Sequence, residues 1–394
     1  METQVAPASI AVHASSFKGP RLAFADNLRV FLTILVIAHH TMITYAGSGS
    51  WLYIEGREDF FTALVGRWFC SINQAYFMGL FLLISAYFVP GSYDRKGPGR
   101  FLLDRLVRLG IPLAIYSWLI RPALAYLGYW SNGATDLSLG SWVAREYFPN
   151  NPILGSGPLW FIETLLIFSA VYMLVRLASS RKVQAPAASP SFPSQGRILG
   201  FALLLSAASF AVRLVWPVGW NFVPLNLQLP YFAQYVALFV VGLFAYRGDW
   251  LRRMPDGVGR RWLGIALILT VLFPVIVLLS GVTADNAVFL GGWHWQSGFW
   301  SLFETVLCIG WSLGLIYLFR RFADRSPKLG ALLVPNAYGA YLIHEPVIIF
   351  LALGLSDVSL YPLLKFGIVV LLGMALCFVL GAGLRRLPYA DRVV

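Results

Sequence analysis

Asp26-Asn27-Leu28-Arg29-Val30-Phe31-Leu32-Thr33-Ile34-Leu35-Val36-Ile37-Ala38-His39-His40 opens the first long apolar run of the chain. The ten residues between Arg29 and His40 are long and apolar enough to begin a membrane-spanning helix. Eleven positions at about 100° each make three turns plus roughly 20°, so a helix puts Arg29 and His40 on one face. At about 1.5 Å per residue they stand about 16 Å apart along the axis, with Arg29 at a membrane boundary and His40 near mid-bilayer. His39 points roughly 80° away. An imidazole at that depth is costly unless it faces a polar cavity, which makes His40 a candidate functional group. The competing reading is a histidine that hydrogen-bonds a neighbouring helix.

The rest of the chain agrees with a membrane setting. Of 394 residues, 58% are hydrophobic and 12% charged, and the mean hydropathy is +0.69. Ordinary globular chains are about 25% charged, so composition points to an integral membrane protein. Lys and Arg outnumber Asp and Glu by 30 to 18. In a soluble protein that excess would suggest nucleic acid; here its placement reports orientation instead, and no nucleic-acid partner is expected. Cys70, Cys308 and Cys377 fall inside apolar runs without metal-ligand spacing. They read as small buried hydrophobes, and no metal is expected. Residues 1–20 hold no apolar core of signal-peptide length and read as a disordered cytoplasmic tail.

Ten apolar runs of spanning length follow, at roughly 29–47, 68–89, 107–128, 158–178, 198–216, 231–247, 261–281, 298–319, 336–354 and 362–384. Connections on one side, with both termini, carry 23 basic residues, from Lys18 and Arg21 to Arg385, Arg386 and Arg392. The other side carries 3, namely Arg57, Arg67 and Arg145. The positive-inside rule therefore places both termini in the cytoplasm. The expected fold is an all-α polytopic bundle of about ten transmembrane helices, one domain over 21–390. A flexible cytoplasmic linker at 179–197, rich in Ala, Pro and Ser, divides four spans from six. The longest outward connection, about 129–157, holds Trp130, Asn132, Trp142, Asn150, Asn151 and Pro152. It suits an interfacial aromatic belt or a surface that meets sugars.

Several polar groups interrupt the apolar runs. Arg105 and Arg108 sit three apart where the third span begins, so their guanidiniums share a helix face that can grip a phosphate or diphosphate. Lipid-headgroup anchoring is the alternative. Arg213 and Lys365 lie near outward helix ends and are expected to snorkel. Glu163 and Glu304 lie deeper, where a carboxylate needs a partner such as Arg121 or a histidine. In Asn336-Ala337-Tyr338-Gly339-Ala340-Tyr341-Leu342-Ile343-His344-Glu345-Pro346, the residues Tyr338, Tyr341 and Glu345 form one polar stripe with His344 at its edge. Pro346 removes a backbone donor beside the His-Glu pair. Such a stripe lines a cavity or bonds neighbouring helices together.

Four of these pieces, in order, resemble the signature of the bacterial membrane acyltransferase family 3. They are Arg29-x10-His40; Arg105-x2-Arg108, preceded by Phe81-Leu82-Leu83-Ile84-Ser85-Ala86-Tyr87-Phe88; Pro158-Leu159-Trp160-Phe161; and the block Tyr338 to His344. The resemblance covers about 22–384. Ala86 stands where the family usually has Gly, a departure that touches packing more than chemistry. The Asp26-Asn27-Leu28-Arg29 opening is similar to the branch that succinylates osmoregulated periplasmic glucans. The resemblance implies an enzyme of the bacterial inner membrane that transfers an acyl group from cytoplasmic acyl-CoA to a hydroxyl on an extracytoplasmic glycan or related acceptor. It makes Arg105 and Arg108, with Arg29, candidates for holding donor phosphates or orienting the thioester. His40 becomes the base or a transient acyl carrier. Glu345 and Glu163 would orient His40 or bind sugar hydroxyls, and Trp160, Tyr341 and His344 would line the acceptor site. The acyl group, the acceptor, the oligomeric state and the choice between direct transfer and an acyl-histidine relay are not readable. A rival is a proton-coupled exporter of lipid-linked sugars, in which the same His and Glu residues relay protons. The absence of an internal repeat and the paired arginines at an inner helix end count against it.

Overall fold

The computed structural model describes residues 22–47, 49–55, 59–131, 136–150, 155–179, 191–280, 287–325, 328–388, 390 and 393. The tail expected over 1–20 and the central part of the 179–197 linker, with Asn132, Asn151 and Pro152, lie outside them. Among the described residues, ten helices are long and apolar enough to cross a membrane: α1 Ala23–Ala46, α2 Phe60–Tyr87, α3 Val89–Tyr129, α4 Gly157–Ala178, α5 Gln195–Val215, α6 Leu229–Gly248, α7 Asp256–Leu279, α8 Trp295–Phe322, α9 Gly330–Gly354 and α10 Pro362–Leu384. Among the described residues there is no strand, only an isolated bridge between Phe222 and Leu227. The protein is a multi-pass membrane helix bundle.

Local chemistry sets the helix ends. α1 stops at Gly47, whose φ of 60° lets its N–H cap the Ile43 carbonyl. The Asp59 carboxylate starts α2 by accepting from the Phe61 and Thr62 N–H groups. The Ser194 hydroxyl accepts from Arg197 N–H, so α5 is already helical at Gln195, inside the stretch expected to be linker. α3 differs more from expectation. It begins at Val89 instead of near 107, breaks at Gly97 (φ 71°) before Pro98, and continues through π-helical turns at Leu106–Gly110 and Tyr116–Ile120. The basic residues read as a connection after the second span thus belong to the helix that enters the third.

α1 is the hub, packed against α2, α8, α9 and α10. Where backbones approach closely a side chain cannot fit. A Cβ on Gly381 of α10 would lie 2.8 Å from the Ala340 nitrogen of α9, and one on Gly242 of α6 would strike the Leu83 carbonyl of α2. The most apolar helices, α7 and α10, are the least buried, while α2, far less apolar than either, is 78% buried. That inversion is the mark of a bundle in lipid: Leu203, Leu204, Val271, Leu279 and Val379 face outward, and polar groups are sequestered inside.

Arg213 and Lys365 correct the snorkelling expectation. They are only 2% and 1% exposed. Arg213 pairs with Glu304 and also bonds the Ser301 hydroxyl at 3.3 Å. Lys365 pairs with Glu55 at 2.5 Å and donates to the Leu355 carbonyl at 2.8 Å. A carboxylate brought from another element removes the reason to reach for the surface.

Candidate active site

Two cavities meet inside the bundle. The first, of about 630 Å³, opens at the basic end. It is lined by six cationic residues (Arg29, Arg95, Lys96, Arg105, Arg108 and Arg385) against a single acid, Asp26. Arg29 reaches Asp26 at 3.3 Å and lies over the Phe88 ring at 4.5 Å. Lys96 is paired with Asp104, and Arg385 donates to Asn336 Oδ1 at 3.2 Å. Among the described residues, neither Arg105 nor Arg108 has a carboxylate within ion-pair distance. The π-helical turn after Arg105 carries Arg108, and the Tyr338 hydroxyl donates to the Arg108 carbonyl at 2.6 Å. Cations in excess over acids, even with Arg29 and Lys96 paired, give this cavity a chemistry suited to an anion.

The second cavity, of about 320 Å³, lies toward the other end. His39, His40, Ser71, Gln74, Trp160, Asn221, Gln228, Tyr231, Trp300, Glu304 and Tyr341 contribute to its wall. Its polar lining is amide, hydroxyl, imidazole and indole, and its one acid, Glu304, is held by Arg213 and by the Trp300 N–H. Aromatic faces interleaved with amides suit a sugar. Tyr341 lines both cavities, and its hydroxyl donates to the Pro158 carbonyl at 2.6 Å. That bond fixes the start of α4, where Trp160 faces one cavity and Phe161 the other.

The stripe predicted on α1 runs through both. Arg29 and Thr33 line the basic cavity, Val36 and His40 the other. The α9 helix brings His344 against His40, and the hydrogen bonds fix the protons. His344 Nδ1 faces the Tyr341 carbonyl at 2.5 Å, an acceptor, so it must donate, leaving Nε2 with a lone pair. His40 Nδ1 lies 3.0 Å from the Val36 carbonyl and 3.2 Å from His344 Nε2. Both are acceptors, so Nδ1 carries the proton and His40 Nε2 carries the free lone pair. His40 is half-buried on the cavity wall, an imidazole whose tautomer these hydrogen bonds set.

The remaining candidates divide. Trp160 and Tyr341 line the second cavity with His40. His344 is fully buried behind His40 and presents nothing to the cavity. Glu345 does not orient His40: its Oε1 accepts from Arg121 at 2.9 Å. Adjacent residues on a helix are about 100° apart, so when His344 faces α1 its neighbour faces α3. Glu163 is buried beside Ser156, its carboxylate oxygens without a hydrogen bond, and lines neither cavity. Arg121 therefore serves Glu345, and Glu304 is served by Arg213. Trp142 packs on Tyr126, Tyr129 and Tyr147, as a belt residue does. Sequence reasoning missed Arg95, Lys96 and Arg385, counted there only as topology signals. It also missed Asn221, Gln228, Tyr231 and Trp300, which no spacing rule connects to His40.

Comparison with known proteins places this geometry. The profile of the family described as an acyltransferase domain, acyltransferase 3, matches residues 22–382. Glucans biosynthesis protein C of Salmonella paratyphi A (strain ATCC 9150 / SARB42) and that of Salmonella agona (strain SL483) are 23% identical to this chain over 373 residues, covering 92% of each. The Salmonella heidelberg (strain SL476) protein matches at the same level. No solved structure matches.

Proposed function

The chain belongs to the acyltransferase 3 family, and we propose on that premise that it moves an acyl group of the acetyl or succinyl class from acyl-CoA to a glycan hydroxyl. The observation that carries this reading is the pair of unlike cavities joined at Tyr341, one cationic and one suited to sugars, with the free His40 lone pair at the wall of the second. The 23-to-3 basic asymmetry supports a cationic cavity open to the cytoplasm, where acyl-CoA is made, with the other cavity outside. Both termini are then cytoplasmic, and the membrane is the bacterial inner membrane. A reporter fused after Pro186 reports cytoplasmic and one near Asn132 reports outside.

Arg105 and Arg108 hold the donor phosphates, with Arg29 beside them. The acceptor sugar enters from outside and stacks its ring among Trp160, Trp300 and Tyr231. His40 Nε2 takes the hydroxyl proton as the oxygen attacks the thioester carbonyl. The same lone pair is equally placed to carry the acyl group in a relay. The likeness to glucans biosynthesis protein C makes a glucan the first acceptor to try. The test is mass spectrometry of extracytoplasmic glycans from cells with and without the protein, beside transfer of labelled acetyl or succinyl from CoA by protein in lipid nanodiscs. Identical glycan masses and no labelled product with either donor would sink the reading.

A further inference from the structure

When His40 takes a proton, a positive charge appears in the middle of a bundle, where an unpaired charge is costly. The ionisable groups around it are His39, Cys70, Tyr231, Glu304 and Tyr341 on the cavity wall and His344 behind. Neither nearby carboxylate is free to answer. Glu345 is bound to Arg121, and Glu304 is bound to Arg213 and Trp300. One stabilising group is the His344 lone pair on the Nδ1 side.

The second comes from the connection between α1 and α2. The Trp51 ring lies on the His40 ring, with centroids 4.5 Å apart and planes 21° from parallel. A cation within about 6 Å of an indole face is attracted by the ring's quadrupole. Among the described residues the Trp51 N–H has no acceptor. Connections of this kind are ordinarily the mobile part of a fold; this one is tied down after Trp51, at Glu55 and at Asp59. The Glu55 N–H donates to the Thr44 carbonyl at 2.9 Å, and the Glu55 carboxylate holds the buried Lys365. Further on, Asp59 accepts from the Tyr361 hydroxyl at 3.0 Å. Through Glu55 the buried lysine locks the segment that carries Trp51.

We propose that Trp51 is a positioning residue that stabilises the protonated ring of His40 through its π face. The inference rests on the base role given to His40 above. As the C–O bond to the acceptor forms and the thioester C–S bond breaks, the hydroxyl proton passes to His40 Nε2. It is returned to the departing thiolate as the coenzyme thiol, and Trp51 acts while the proton is on the ring.

The experiment replaces Trp51 site-specifically by mono-, di- and trifluorotryptophan, which weaken the π face with little change of shape, beside Trp51→Leu and His40→Ala. Acyl transfer is measured at varied donor and acceptor concentrations. The expected result is a stepwise fall in kcat with fluorine number at constant KM for both substrates, and a loss of roughly 2- to 30-fold in Trp51→Leu. A flat kcat across the fluorinated series, with His40→Ala inactive, overturns the role of Trp51 alone. Full activity in His40→Ala overturns the base reading and this inference with it.

Discussion

The cavities on either side of Tyr341 share walls from α1, α2, α4 and α9, yet their chemistry has nothing in common. Below Tyr341 six cations surround one acid; above it the lining is imidazole, indole, amide and one neutralised carboxylate. Moving from Arg29 to His40, about 16 Å along one helix face, changes the wall from cationic to imidazole, indole and amide, and with it, on the function proposed above, the guest. The proposed division would keep two substrates apart without a second domain. Arginines are tolerated near the boundary, where water and headgroups share their charge, whereas mid-membrane polarity must be neutral or paired.

On that division, substitutions in the two cavities should affect different substrates. The largest effect is expected for His40→Ala, a loss of 10²- to 10⁴-fold in kcat/KM, about the range for removing a general base, with insertion and expression retained. His39→Ala should cost far less, because the His39 ring packs on Phe77 with centroids 4.8 Å apart and its Nδ1 has no partner. Equal losses in both variants would undo the assignment of the base.

Next in size is the neutralisation of Glu304. Arg213→Leu strands a buried carboxylate and should lower stability by about 3–5 kcal/mol. Thermal unfolding in detergent reads this, and the double change Arg213→Leu with Glu304→Leu should recover most of it. No recovery would mean that Arg213 acts through Ser301 or Tyr231 instead.

In the basic cavity, Arg105→Ala or Arg108→Ala should weaken acyl-CoA binding by roughly 10- to 150-fold, for a charge-assisted contact of about 1.5–3 kcal/mol. The KM for acceptor should stay unchanged. Lysine at either position should restore only part, since an ammonium lacks the fork. Unchanged donor affinity in both alanine variants would leave lipid anchoring as the role of the pair. The mirror experiment is Asn221→Ala, expected to raise acceptor KM about 5-fold, for one hydrogen bond of about 1 kcal/mol, and to leave donor KM alone. A shift in donor KM there would break the comparison.

The smallest effect concerns the outward segment. Hydrogen bonds from the Thr62 side chain first, then from backbone N–H groups and Tyr361, hold the Asp59 carboxyl below its ordinary value. A depressed folded pKa means that this stabilisation is full above the unfolded value and is lost as pH falls through the folded one. Unfolding followed over the acid range should therefore show a shallower pH slope for Asp59→Asn than for wild type. Identical slopes would show that Asp59 contributes nothing beyond its cap.

Much of this was local and so readable in the chain. Ten spans follow from runs of apolar residues, because lipid asks only for length and hydropathy. The Arg29–His40 stripe follows from helix geometry alone, and the candidate donor arginines from an i, i+3 spacing. What the tertiary structure decided are the meetings of distant residues. Arg121 pairs with Glu345 across 224 positions, His40 meets His344 across 304, and Lys365 meets Glu55 across 310. A buried charge is satisfied by whichever partner the packing of helices delivers, and that packing depends on close approaches such as Gly381 against Ala340. No periodicity along one helix records which neighbour arrives. The sequence by itself therefore put His40 on one face with Arg29 and left two readings for it, and only the assembled bundle decided that it lines a cavity with His344 and Trp51 against it.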